Sequence, residues 1–533
     1  MSSCGNPAVE AEALMSRRLK FDKSRSCVKC KTNVGNIVIR HAVYCKDCFT
    51  PLQTTKFKRS LEPSINPASA STSGPRRTKL KATGNLLIGF SGGLGSTVLL
   101  DLVSRCYISS NETVENVDGN SKPRGGTKHP RNQSVWMEAR ACYVEMCGAF
   151  PESGMRDRTD EVRKAVERYN GFEFVSLRIE DAFDSRWWAS VGGRDQIRER
   201  DLGVDLSDEE LLLSSLQHSS DSSPLAALQK YLSSLPTTTA TQSSLTALTR
   251  LLLLYTALAT SSSHLLLGTT LTGLSIGLIS GVAMGGGFVV REEAGEEWEP
   301  RISGLAGEER RIKVVRPLQD MGMKECAAWV WWNGLEVVGK ENVVGVKQGI
   351  GGLTKDFIVG LERDYPSTVS TIARTCAKLA PKDAAVERCV MCERPAQRGV
   401  QDWKARISIR SFNSPESEMS IPLPPHIQSA IPPPSHPHHS SFSPSLTPLL
   451  CYGCHTTLTS RSSRGTALQS KNLSKSLTDV IAPLPVWVSS RLLDSVVNPG
   501  GEMRDDLGGD AWQSKKMDVK EMRDAVKDFL LED

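Results

Sequence analysis

Eight of the 14 cysteines in this 533-residue chain stand in four Cys-x-x-Cys pairs: Cys27/Cys30, Cys45/Cys48, Cys389/Cys392 and Cys451/Cys454. Two such pairs can set four thiolates around one tetrahedral zinc ion. The first set has the right spacing, with fourteen residues between Cys30 and Cys45. The module around it, residues 27–60, has few apolar residues and needs a metal to fold. Lys29, Lys31 and Lys46 partly offset the charge of a tetrathiolate. A redox dithiol is the alternative, but it would not explain two pairs at this spacing. The second set is split by 58 residues. Loop-closure entropy grows only with the logarithm of length, so a shared zinc is expected there too. His455 adjoins Cys454, but a Cys4 site does not require it. His426, His436, His438 and His439 lie among prolines and read as bystanders.

Residues 85–100, NLLIGFSGGLGSTVLL, point to different chemistry. Leu86, Leu87, Ile88 and Phe90 predict a buried strand, and a helix opens at Ser96. Glycines at such a turn let backbone amides point into a concave nest, and the helix start adds its positive dipole end. A phosphate chain is the natural guest, with Ser91, Gly92, Gly93, Ser96 and Thr97 as the binding residues. The spacing is not that of a mononucleotide P-loop, and no lysine stands at the turn. Ser-Gly-Gly-x-x-Ser after a strand resembles the pyrophosphate loop of the PP-loop ATPases, which adenylate carbonyl groups. That resemblance implies ATP as ligand. Active members typically carry Asp at the fifth position, where this chain has Gly95. The expectation is a loop that is kept and a chemistry that is blunted.

Other nucleophilic chemistry has little support. Cys106 falls in the helix after the loop, where a core thiol is the default. Cys142 and Cys147 straddle a strand unevenly, and Cys326 and Cys376 are isolated. Gly-x-Ser-x-Gly occurs at 89–93, inside the loop just described, and at 273–277, inside an apolar stretch that reads as helix, and His-Glu-x-x-His does not occur. Glu209 and Glu210 sit in an acidic stretch that reads as solvent-facing.

The elements that must position these residues follow from the pattern of the chain. Hydrophobic residues make up 39% and charged residues 23%, the balance of a soluble protein with a large core. Residues 1–81 hold 16 Lys/Arg against 5 Asp/Glu, while the remainder holds 49 against 55. A basic end on a slightly acidic body suits a polyanion partner, although a merely solvated basic tail is the alternative. Residues 1–20 carry charges from Glu10 onward and no long apolar run, unlike a secretory leader. Clustered Cys-x-x-Cys pairs point to the cytosol or nucleus rather than a secreted disulfide scaffold.

The expected organisation is a basic arm (1–26), a zinc-ribbon-like Cys4 module (27–60), a linker (61–83), an α/β domain (84–385), a split Cys4 module (386–460) and a tail (461–533). Within the α/β domain, alternating strands and helices predict a parallel sheet. Strands are expected at 86–90, 141–150, 172–179, 264–268 and 312–316. Helices are expected at 96–104, 159–169, 225–235, 245–258, 271–284 and 323–332. Residues 111–134 and 192–223 read as insertions, and 292–309 as an acidic loop. No Lys, Arg, Asp or Glu occurs between Arg250 and Arg291. Polar residues and glycines dilute that stretch, so buried helices and a strand explain it better than membrane spans. The Pro/Ser/His-rich stretch 412–448 cannot build a packed core and is expected to be disordered. Residues 519–531 predict a short amphipathic helix.

Taken in order, the cysteine knuckles, SGGLGS, HLLLG, the apolar GLSIGLISGVAMGGGF, Val315-Arg316-Pro317-Leu318, the C-terminal cysteine set and the FLLED ending resemble the cytoplasmic tRNA 2-thiolation protein 2 family. The likeness covers residues 27–60, 84–392 and 449–458. It implies a parallel-sheet PP-loop ATPase-like (adenine nucleotide alpha hydrolase-like) α/β domain flanked by small zinc-binding modules, in a cytoplasmic protein. It implies a heterodimer with a catalytic PP-loop subunit, with tRNA and a thiocarboxylated ubiquitin-like sulfur carrier as further partners and no membrane. The product would be 5-methoxycarbonylmethyl-2-thiouridine at wobble position 34 of the tRNAs for Lys, Glu and Gln. Catalytic partners carry a mid-domain cysteine pair and a third cysteine. Residues 180–190 and 331–353 of this chain contain none. The chain is therefore expected to be part of a tRNA-uridine 2-sulfurtransferase complex without being its catalytic subunit. Two other readings stay open at this point: a self-sufficient ATP-dependent tRNA-modifying enzyme, and a non-enzymatic zinc-ribbon nucleic-acid adaptor.

Overall fold

The apolar run after Gly84 becomes the centre of a sheet. The computed structural model describes residues 25–40, 42–65, 84–108, 135–151, 154–193, 201–207, 210–216, 223–299, 311–339, 349–378, 387–397, 399–400, 445–460 and 481–497. Nearly all of the basic arm, the loop 111–134, all but the last four residues of 412–448 and the helix expected at 519–531 lie outside them. The chain divides into two units, Met1–Arg491 and Leu492–Asp533. Of the second, only the closing residues of the helix Val486–Val497 are described, so the account below concerns the first.

In chain order the strands are β1 (Ile37–Ile39), β2 (Ala42–Tyr44), β3 (Asn85–Gly89), β4 (Ala139–Glu145), β5 (Glu173–Arg178), β6 (Asp201–Asp205), β7 (Leu213–Leu216), β8 (Ser262–Leu267), β9 (Glu296–Trp298), β10 (Ile312–Val315), β11 (Glu387–Arg388), β12 (Pro395–Ala396) and β13 (Ile481–Pro483). The main sheet has the order β5-β4-β3-β8-β10-β9. Every pairing in it is parallel except β10 with the edge strand β9. Leu86, Leu87 and Ile88 are fully buried, as a parallel strand covered on both faces requires. The chain adds β4 and β5 on one side of β3, then crosses to lay β8 and β10 on the other. The order therefore reverses between β3 and β8. In open α/β sheets the crevice at the carboxyl ends of such a pair is where ligands bind.

The helices Leu94–Val103, Thr238–Ala259 and Leu271–Ala283 are apolar and carry many buried residues, because they pack inside the body. The uncharged stretch 251–290 is accounted for as a buried helix end, β8 and a second helix. Among the described residues no helix is long and apolar enough to cross a membrane.

Three local expectations are corrected. The strand expected to reach residue 150 ends at Glu145, whose carboxylate accepts the amide N–H groups of Met146 and Cys147 at 2.7 and 3.0 Å and turns the chain. The stretch expected as a plain insertion at 192–223 supplies β6 and β7, which pair with each other, and β6 pairs in turn with β13 in an antiparallel sheet. The acidic loop expected at 292–309 opens as the end of a helix (Val290–Ala294) and then β9, whose Trp298 is fully buried.

Around the first cysteine set, β1 and β2 form a hairpin and lead into the helix Lys46–Ile65. That helix runs past residue 60, and its Phe49, Phe57, Leu61 and Ile65 join the same core as Leu86, Ile88 and Val98.

Candidate functional site

The turn after β3 lies at the point where the strand order reverses. Gly92 has φ +70°, the left-handed conformation that favours glycine. The helix Leu94–Val103 begins directly, with Gly93 as its N-cap. The carbonyl of Gly93 accepts from the Thr97 amide at 3.0 Å, the Ser96 hydroxyl at 2.9 Å and the Thr97 hydroxyl at 3.1 Å. The Ser91 and Ser96 hydroxyls are 3.3 Å apart. Of the five candidate binding residues, Ser91 is exposed, Gly93 half-buried, and Gly92, Ser96 and Thr97 buried. The structure brings them together at one turn and points two of the three hydroxyls at the loop's own carbonyl.

Two further contacts shape this turn. The Gly339 amide donates to the Gly92 carbonyl at 3.0 Å, and Val338 sits where a Cβ on Gly92 would come within 3.2 Å. Arg158 fixes that covering segment by donating to the Gly339 carbonyl at 2.7 Å. On the other side, a Cβ on Gly95 would lie 2.1 Å from the carbonyl oxygen of Gly268, just past the end of β8. A Cβ on Gly268 would in turn lie 2.5 Å from the Ser96 nitrogen. Two backbones are packed together at the loop position where the sequence resemblance implied Asp.

The first cysteine set is assembled as expected. The sulfurs of Cys27, Cys30, Cys45 and Cys48 lie within 4.8 Å of one another, with Cys30 and Cys45 at 3.8 Å. Lys31, at φ +61°, makes the tight turn of the first knuckle and donates its amide to the Cys27 carbonyl at 2.8 Å. Asn33 donates its amide to Cys30 Sγ at 3.5 Å and its side-chain amide to Cys45 Sγ at 3.9 Å. The Thr32 hydroxyl and neighbouring amides hold the Cys30 thiol down at about 6. Burial and the adjacent sulfurs push Cys48 up to about 12. Four thiols this close cannot all ionise unless a cation joins them.

The second set closes across its 58-residue gap. Cys389, Cys392, Cys451 and Cys454 also lie within 4.8 Å of one another, and Cys392 and Cys451 are 3.8 Å apart. Cys451 caps the helix Tyr452–Thr459, its sulfur accepting the Cys454 amide at 3.4 Å. His455 is buried but is not one of the four; its ring faces the Thr459 hydroxyl at 3.5 Å. Both donor sets suit zinc: all-sulfur, four-coordinate and closed.

Sequence reasoning missed what surrounds this second set. Glu393, adjacent to Cys392, is fully buried with φ +55°. Its carboxylate accepts from the Tyr255 hydroxyl, from Trp298 Nε1 at 2.7 Å and from Arg491 at 2.6 Å. Arg250 donates to the Cys392 carbonyl at 2.8 Å, and Glu293 pairs with both Arg394 and Arg316. A cavity of about 380 Å3 opens alongside, lined by Leu248, Leu278, Met284 and Phe288 with Cys392 and Cys454 at its edge. The remaining described cysteines form no third cluster. Burial pushes the thiols of Cys106, Cys142, Cys147 and Cys326 upward, as core thiols behave.

A family model described as cytoplasmic tRNA 2-thiolation protein 2 matches residues 349–456, a stretch that holds the whole second cysteine set. Proteins named cytoplasmic tRNA 2-thiolation protein 2 match far more of the chain. The one from Danio rerio is 25% identical over 406 residues, covering 69% of this chain and 72% of its own. The one from Xenopus tropicalis is 23% identical over 496 residues, covering 81% and 87%. The one from Homo sapiens is 26% identical over 466 residues, covering 79% and 80%. The chain is similar to the cytoplasmic tRNA 2-thiolation protein 2 family over most of its length. Among solved structures, the U34-tRNA thiolase NcsA from Methanococcus maripaludis with its [4Fe-4S] cluster is 17% identical. It covers 66% of this chain and 87% of that one at a TM-score of 0.38. In this chain, then, two Cys4 groups accompany a parallel sheet whose glycine turn is packed against the neighbouring strand's end.

Proposed function

We propose that this chain is a required, non-catalytic subunit for 2-thiolation of the wobble uridine in cytosolic tRNAs for Lys, Glu and Gln, and that it works in the cytoplasm. It acts as a heterodimer with a catalytic PP-loop subunit, and the product is 5-methoxycarbonylmethyl-2-thiouridine. In that reaction ATP activates the C2 carbonyl oxygen of uracil by adenylation. Sulfur from a thiocarboxylated ubiquitin-like carrier then displaces AMP. Both steps fall to the partner. Similarity to proteins named cytoplasmic tRNA 2-thiolation protein 2 supports the thiolation role.

The contact between Gly95 and Gly268 carries the non-catalytic half of the reading. It leaves no room at the fifth loop position for any side chain, least of all a carboxylate. With the Ser96 and Thr97 hydroxyls turned to Gly93 and the Val338–Gly339 segment laid over Gly92, the turn works as a structural joint. No step of the reaction is routed through ATP on this chain. The eight clustered cysteines would hold two zinc ions, which tie chain segments together and supply no reaction chemistry.

The test is reconstituted thiolation of a wobble-uridine tRNA with the chain, its catalytic partner, both, and both with Ser91→Ala in this chain. Activity that needs both proteins and survives Ser91→Ala is the expected result. Activity from this chain alone would overturn the reading.

A further inference from the structure

The helix Met323–Asn333 carries three tryptophans with three different fates. Trp329 is buried and donates its indole N–H to Asp101 at 2.8 Å. Trp332 packs edge-on against Phe49 of the N-terminal module, with ring centroids 4.9 Å apart. Trp331 is 82% exposed, the largest side chain among the exposed hydrophobics of the described residues. A ring of that size, on a helix anchored by its two neighbouring tryptophans, presents a flat aromatic face to solvent.

Its surroundings say what. Helical spacing puts Lys324, Ala327 and Trp331 on one stripe, and all three are exposed. Lys324 reaches the carbonyl of Val38 in β1 at 3.3 Å, so the stripe abuts the first cysteine module. Residues 25–65 hold eight Lys/Arg against two Asp/Glu, a surface complementary to a polyanion. An exposed indole beside a basic surface is the arrangement that single-stranded nucleic acid uses: phosphates on the cations, an unpaired base on the ring.

We propose that Trp331 is a stacking platform for an unpaired base of the tRNA, with Lys324 and the basic module holding the adjoining backbone. The inference rests on the tRNA-thiolation reading and adds to it the residue that receives a base. Because stacking ignores base identity, Trp331 contributes affinity for open RNA and little sequence preference.

The experiment measures binding of the full-length chain to three RNAs over a salt series. These are a wobble-uridine tRNA, its anticodon stem-loop, and the same stem closed as a blunt duplex. Trp331→Ala should weaken the first two by about tenfold, leave the duplex unchanged and leave the salt slope intact. Trp331→Phe should recover most of that loss, and Lys324→Ala should instead lower the salt slope. An unchanged thermal midpoint in each variant shows that the fold is kept. Trp331→Ala binding the stem-loop like wild type, or losing the duplex equally, would overturn the inference while leaving the thiolation reading intact. So would loss of partner binding with RNA binding preserved, which assigns the ring to a protein interface. If wild type binds none of the RNAs, the tRNA reading itself fails.

Discussion

Gly95 and Glu393 show how much a single residue decides in this molecule. The sequence reveals that Gly95 departs from an active loop, because the motif is local. It cannot reveal why, since the reason is a carbonyl 173 residues further along the chain. Replacing Gly95 with Asp should not restore chemistry. The added carboxylate must displace Gly268 or the helix start, so the variant should be less stable by about 1–3 kcal/mol or more, read as a lower thermal midpoint, with no gain in ATP-dependent adenylation. Glu393 was invisible to sequence reasoning, because a glutamate beside a cysteine looks like a surface charge. Glu393→Gln keeps the shape but leaves Arg491 without its buried counter-ion, a loss of about 3–5 kcal/mol measurable by denaturant unfolding. Glu293 adds a pH signature. Burial disfavours its charged form, but Arg394 and Arg316 outweigh burial and hold it at about 2, below its ordinary 4.5. A depressed carboxylate stabilises the fold above its unfolded value and loses that contribution as pH falls. Stability should therefore drop between about pH 5 and pH 2, and Glu293→Gln should flatten that limb of the curve.

Among the elements, those built from neighbours in sequence were legible and those built across the chain were not. Leu86–Ile88, the HLLLG strand and the apolar helix after it carry their burial in their own composition. The hairpin of β6 and β7 does not, because the strand that completes its sheet, β13, pairs with β6 from more than 260 residues away. The cysteine clusters were legible for a different reason: ligand spacing is a constraint imposed by the ion, not by the fold around it. Both clusters should load, giving two zinc ions per chain by elemental analysis, and Cys454→Ser should reduce that to one. Stripping the second ion should cost more order than stripping the first. The second cluster ties Cys389–Cys392 to the helix Tyr452–Thr459, while the helix Lys46–Ile65 is also held by core packing of Phe49, Phe57, Leu61 and Ile65. Hydrogen exchange after chelation would show protection lost around residues 387–397 and 452–459 first.

At the scale of the whole molecule, charge is divided between a basic beginning and a slightly acidic body. Neutralising Arg17, Arg18, Lys20, Lys29 and Lys31 together should weaken tRNA binding and flatten its dependence on salt, since each lost phosphate contact removes roughly 0.7–0.9 from the logarithmic slope. A slope that stays the same would place the electrostatic footprint elsewhere.

The buried carboxylate of Glu393 also sets a timetable. Its partners are Tyr255, Trp298 and Arg491, so the first leaves the ribosome 236 residues ahead of the last. At about 5–20 residues per second, that interval is on the order of ten to fifty seconds. Over the last 98 residues of it, from Glu393 onward, the nascent chain holds this carboxylate without its closing salt bridge, and Cys389 and Cys392 wait for their mates until Cys454 is made. A transcript cut short between codons 393 and 491 would yield a chain held in that state, with Glu393 among its aromatic partners and no Arg491 to pair it.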